Sequence, residues 1–240
     1  MDHLLRLSMA ALLAGSWSAS LAQSADALRL QAFAQGSANN CISVALIKAA
    51  IQRYGEGQVF DTLRTGDQVR VTLRDHTVLT VTNVERQQAA RSAAFSQQPV
   101  AGLPAAEQAG LVRYAHFCYA VLAKYLQTQK LYLCTDDNNQ LDSAAALGSY
   151  AKALHKLSKK GICSDNAYRH LGLRALDQTA PPYSPSADFS GKKGVVVYNH
   201  DHAVFVLDKQ YDHYGTWRPL AVQAKDAQNK FEPKWLFELK

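Results

Sequence analysis

The chain reads as an α+β protein, and three observations predict this. Apolar residues recur at helical three- and four-residue spacing through much of the first part, short β-like apolar runs dominate from Gly194 onward, and a Pro/Ser-rich connector, Gln178-Thr-Ala-Pro-Pro-Tyr-Ser-Pro-Ser186, separates the two. A helical portion from about 35 to 177 is therefore expected to pack on a β portion from about 186 to 240.

The N-terminal stretch carries its own signature. Met-Asp-His-Leu-Leu-Arg leads into an apolar run from about Leu7 to Trp17, followed by the small-residue exit Ser18-Ala-Ser-Leu-Ala22. Residues 1–22 are expected to be a secretory signal cleaved near Ala22, because the apolar core is too short to span a bilayer. The mature chain, 23–240, is then expected in the periplasm or outside the cell, with no integral membrane segment. Roughly 215 residues remain, enough for one domain or two tightly joined lobes.

Ser24 to Ala34 forms a short lead-in whose Leu28, Leu30 and Phe33 can pack on the body. A helix is expected from Cys41 to Gly55, with Ile42, Ala45, Leu46, Ala49 and Ile51 inward, Asn39 and Asn40 capping its start and Gly55 ending it. Val69 to Thr82 alternates around Arg-Asp-His-Thr as a β-hairpin. Arg86 to Pro104 is rich in Gln, Ala and Ser and reads as a loop or connection.

Leu111, Tyr114, Ala115, Cys118, Leu122 and Tyr125 mark one face of a long helix. A second helix is expected from Ser143 to Gly161, and a short third from Asp165 to about Leu171. Four strands follow: Gly194–Tyr198, Ala203–Leu207, Thr216–Gln223 and Lys234–Leu239, with a turn running from Gln210 to Gly215.

The net charge of +6 is a mild bias, unchanged by loss of the signal because Asp2 and Arg6 leave together. Basic residues gather at Lys156, Lys159-Lys160 and Lys192-Lys193 without interleaved aromatics on a common face, which argues against a nucleic-acid partner. The 4 cysteines of an exported chain suggest bridges. Cys134 and Cys163 both sit at loop positions and are the favoured pair, whereas Cys118 lies on a helix's apolar stripe like a small core residue.

Cys41 is the candidate nucleophile. At a helix N-terminus, backbone N–H groups and the helix dipole favour a thiolate. Gln35, six positions upstream in Gln-Gly-Ser-Ala-Asn-Asn-Cys, can present its amide to a developing oxyanion beside the Cys41 N–H. The candidate base is His202 in Tyr-Asn-His-Asp-His-Ala-Val-Phe-Val-Leu, preferred to His200 because it adjoins the apolar strand. His200-Asp201-His202 also suggests a metal site, but no further ligand cluster accompanies it.

Gln-Gly, a short loop, Cys and a helix, with His-Ala heading a late strand, together resemble the papain-like cysteine peptidases. The hairpin and long helix after the cysteine helix bring the likeness closer to the calpain-like branch. The resemblance implies a two-lobe fold, with the nucleophile helix in an N-terminal helical lobe packed on a C-terminal antiparallel β lobe. It also implies a polypeptide substrate and a Cys41–His202 thiol mechanism that needs no metal or organic cofactor. A third residue should orient the imidazole. Asp226 is the first choice, at the end of the returning strand; Asn229 serves if that strand is longer, and Asp212 is placed in the turn at the remote end. The same site would also suit an amidase or acyltransferase. The position after the cysteine holds Ile42 where the family has an aromatic, and the family's Asn-Ser-Trp segment is absent, which leaves a non-catalytic module binding an envelope protein partner as the rival expectation.

Overall fold

A computed structural model describes residues 25–134, 143–177, 182–184, 186–220 and 231–240. The expected signal, 1–22, and two candidate orienting residues, Asp226 and Asn229, lie outside the described residues.

The fold is α+β with antiparallel sheets, as expected. In chain order the elements are α1 (Ala25–Leu30), α2 (Cys41–Tyr54), β1 (Asp61–Thr65), β2 (Gln68–Thr72), β3 (Val78–Thr82), α3 (Asn83–Ala93), α4 (Ala105–Thr128), β4 (Leu131–Tyr132), β5 (Ser143–Ala144) and α5 (Tyr150–His155). A π-helical turn (Lys156–Lys160) and a 3-10 turn (Ala167–Leu171) follow, then β6 (Val195–Tyr198), β7 (Ala203–Leu207), β8 (Gln210–His213), β9 (Thr216–Pro219) and β10 (Trp235–Glu238).

Helix α2 is the centre of the molecule. Every residue from Ile42 to Gln52 is buried, because the helix packs against β6 and β7 on one side and α4 on another. A helix apolar all round belongs in a core. Fully buried Leu46 and Ile47 each contribute about 1.5–3 kcal/mol relative to exposure. The chain leaves α2 at Gly55, whose φ of 97° lies in the region that glycine tolerates best.

Two expectations in the helical portion are corrected. Residues 83–93 form α3, not a loop: Thr82 accepts from the Glu85 N–H at 3.1 Å while Glu85 accepts from the Thr82 N–H at 2.8 Å. This reciprocal capping box starts the helix even though only Ala89 and Ala93 bury fully. The expected 143–161 helix is shorter, with α5 beginning at Tyr150 and continuing into the π turn. The expected hairpin is β2–β3, joined on its outer side by β1.

The large sheet has the order β10-β6-β7-β8-β9, antiparallel throughout. Its topology overturns the expected long turn at 210–215. The chain reverses sooner, through the two residues Asp208 and Lys209, so Val206 pairs with Tyr211. Asp208 takes φ 53°, a conformation that Asp adopts more readily than most residues. A second reversal follows at Tyr214 (φ 51°) and Gly215 (φ 90°), the two positive values that a tight hairpin turn requires. The extra strand, β8, is what carries Asp212 back beside β7.

Cys134 and Cys163 form a disulfide across a sequence separation of 29, and Cys118 is fully buried, both as expected. Among the described residues no helix is long and apolar enough to cross a membrane.

Candidate active site

Three elements meet at a narrow cleft: the loop before α2, the first turn of α2, and the β6–β7 and β8–β9 ends of the large sheet. Cys41, His202, Gln35 and Asp212 all line it, with Val44 and Ala45 as its apolar floor one turn along the helix.

The loop carrying Gln35 is fixed by a close backbone approach. Ala34 and Ser96 exchange both backbone hydrogen bonds, at 2.9 and 3.0 Å. A Cβ on Gly36 would lie 2.0 Å from the Ala94 carbonyl oxygen, so the Gln-Gly pair places its glycine where a side chain has no room. Gln35 Nε2 then donates to the Ala38 carbonyl at 2.9 Å, closing the loop toward Cys41. An amide nitrogen carries two hydrogens, and this contact uses one of them.

Asn40 does not cap α2 as expected. Its side chain turns away and donates to the Ala93 carbonyl at 2.8 Å, while Asn39 Nδ2 reaches the Lys159 carbonyl at 3.5 Å. The first N–H groups of α2 are therefore not taken by either asparagine. The N–H groups of Ala203, Ile42 and Cys41 lie near enough to the Cys41 sulfur to favour its charged form.

Burial outweighs these donors. It pushes the Cys41 thiol up from its ordinary value, and the N–H groups of Ala203, Ile42 and Cys41 offset only part of that shift. Burial thus works against the expected thiolate, because the half-buried sulfur loses more solvation than the helix terminus returns.

His202 is held by its own loop. Asn199 Oδ1 accepts from the Asp201 and His202 N–H groups at 2.9 and 2.8 Å, and the Asn199 N–H donates to the His202 carbonyl at 2.9 Å. The imidazole stacks on Tyr214 at 5.5 Å and meets the Phe231 ring edge-on at 5.5 Å. Burial lowers its proton affinity, the nearby His213 lowers it further, and the Asp212 carboxylate opposes both. Burial therefore favours the uncharged form of both groups, and no hydrogen bond joins the two among the described residues.

His200 goes elsewhere, exposed and edge-on to Trp235 at 4.8 Å. It does not line the cleft. Nor does His-Asp-His gather a metal-ligand cluster. Among the described residues the sole such grouping is Cys134, Cys163 and Asp165, two of which form the disulfide.

Asp212, expected to be remote, lines the cleft instead. Its Oδ1 accepts from the Gly215 N–H at 2.8 Å, and its Oδ2 accepts from Lys48 Nζ at 2.7 Å. The missed β8 strand accounts for the error: a turn of two residues returns the chain so that position 212 lies next to β7 rather than at its far end. Lys48, buried within an otherwise apolar helix, was the visible sign that an acid had to face it.

Comparison with protein-family models, with curated proteins and with solved structures finds no match.

Proposed function

We propose that this chain is an exported cysteine peptidase of papain-like, two-lobe organisation, hydrolysing amide bonds of a polypeptide through Cys41 and His202. One observation carries the proposal: the thiol at the uncapped start of α2 shares a cleft with His202 and the next residue, Ala203. The Cys134–Cys163 disulfide is compatible with an oxidising compartment outside the cytosol.

His202 accepts the Cys41 proton as the sulfur attacks the substrate carbonyl, forming an S–C bond. The oxyanion is received by the Cys41 N–H and the remaining Gln35 amide hydrogen. The C–N bond then breaks, and the departing amine takes the proton from His202. Water adds to the thioester with His202 as base, the S–C bond breaks, and the carboxylate product leaves with the thiol restored. Asp212 serves as the residue that orients His202, in place of Asp226. Because burial favours the uncharged thiol and imidazole, His202 acts as a general base during attack instead of holding a standing thiolate–imidazolium pair. An amidase or acyltransferase would use the same steps with a different acceptor.

A second reading has one feature in its favour. The raised thiol proton affinity and the narrow cleft also suit a non-catalytic module of the same fold that binds a protein partner.

Alkylation of the unreduced protein with iodoacetamide at about pH 8, followed by peptide mapping, separates the two readings. The peptidase reading expects Cys41 to be modified, with a His202→Ala variant slowed by about 10²-fold or more. Equal rates in both proteins, or a Cys41 no more reactive than the buried Cys118, would leave only the binding module.

A further inference from the structure

Lys48 is a charged residue inside the apolar centre of the molecule. Its side chain is 0% exposed, and its ammonium meets one carboxylate, Asp212 Oδ2, at 2.7 Å, with the Phe33 ring 5.0 Å away. Burying such a pair brings little net stability over a pair of apolar side chains, since desolvation of both charges cancels most of their attraction. Folding alone therefore gives weak reason to keep it.

The location of the pair supplies another reason. Asp212 lines the cleft that holds Cys41 and His202, and both its oxygens are held, one by Lys48 and the other by the Gly215 N–H. A carboxylate has about four acceptor sites, so these two bonds fix its plane and still leave acceptor capacity for an imidazole N–H. Lys48 stands seven residues, about two turns, beyond Cys41 on α2. One ion pair thus ties the nucleophile's helix to the strand behind the base. Around His202 the titratable neighbours are Cys41 from α2 and Asp212 and His213 from β8, with Tyr214 and Phe231 as aromatic walls.

We infer that Lys48 is a positioning residue for the proposed thiol chemistry, holding the Asp212 carboxylate in place beside His202 through the buried ion pair. It does not touch substrate. This rests on the Cys41–His202 reading given above. Without Lys48, one of the two bonds that fix the carboxylate is lost, the group is free to rotate away, and His202 loses the negative charge held beside it.

The test measures the rate of Cys41 alkylation by iodoacetamide from about pH 6 to 9, with melting temperature and circular dichroism recorded on the same proteins. The proteins are wild type, Lys48→Met, Asp212→Asn, the double variant and His202→Ala. Lys48→Met, folded, is expected to lose tenfold or more in rate near neutral pH, with the deficit narrowing toward the alkaline end as more of the thiol ionises without a base. The double variant is expected to match Asp212→Asn alone, because Lys48 acts through Asp212.

A folded Lys48→Met with the wild-type rate and pH profile would overturn the inference, as would single effects that multiply in the double variant. Should Lys48→Met not fold, the double variant, which leaves no lone charge in the core, is compared with Asp212→Asn: equal rates are expected, and a further tenfold loss overturns the inference. A His202→Ala variant that alkylates like wild type overturns the underlying peptidase reading instead, so the two failures are distinguishable.

Discussion

Ala203 and Cys41 line one cleft, where the Ala203 N–H favours the charged form of the Cys41 sulfur, so the head of β7 lies beside the head of α2. His202, one residue earlier, is thereby carried to the mouth of the same cleft. Burial outweighs that N–H and shifts the thiol up.

The pH dependence of Cys41 reactivity follows from that balance. Cys41 is shifted up and His202 down, so lowering the pH protonates the base without generating a thiolate. Alkylation is expected to rise continuously from about pH 6 to 9. A fast plateau persisting at the acid end, measured by intact mass against time, would instead indicate a standing thiolate–imidazolium pair.

Loss of the proposed nucleophile is the sharpest test of turnover. Cys41→Ala should abolish release of peptide fragments from a denatured protein substrate while leaving the melting temperature within a few degrees, since the side chain is only partly buried. Residual cleavage by pure Cys41→Ala protein would assign the chemistry elsewhere.

Gln35→Ala removes a candidate oxyanion donor. Its effect should fall on kcat, by about 10²-fold, with little change in KM. A change confined to KM would mean that Gln35 only shapes the loop through its bond to Ala38.

His170 predicts an acid-side loss of stability. It is fully buried, accepts from the Tyr132 N–H at 3.1 Å, and burial lowers its pKa to about 4. Above the unfolded value near 6.5 both states are neutral; as the pH falls from there toward about 4, only the unfolded chain takes up the proton. That costs about 3 kcal/mol over the interval. In urea titrations His170→Gln, which retains an acceptor, should flatten this part of the stability profile; an unchanged slope would place the acid sensitivity at other groups.

The disulfide closes a span of 29 residues, for which chain entropy gives about 3–4 kcal/mol. Replacing Cys134 and Cys163 with Ser should lower the melting temperature by several degrees yet leave Cys41 alkylation at low temperature near the wild-type rate. A parallel loss of reactivity would show that the bridge supports the cleft as well as the fold.

Local patterns made much of the fold legible. The spacing of Leu111, Tyr114, Cys118 and Leu122 announced α4, and the run from Cys41 announced the buried central helix. Thr82 and Glu85 also carried a capping box, but the Gln- and Ala-rich stretch after it lacked an apolar stripe, and α3 went unread. Gln35, Cys41 and His202 were identifiable because each lies in a short local pattern, and the structure brings all three to one cleft.

The sequence by itself determined the α+β class, the pairing of Cys134 with Cys163 and the candidate thiol and base, since helix periodicity, loop position and helix-terminus chemistry are properties of neighbouring residues. Only the tertiary structure decided which acid lines the cleft with His202 among the described residues and which way burial shifts the thiol. The first depended on a two-residue reversal at Asp208-Lys209, where a slightly longer turn would have sent Asp212 to the far end of the sheet. The second depended on how much water the packed cleft removes from Cys41, a desolvation set by residues distant in sequence.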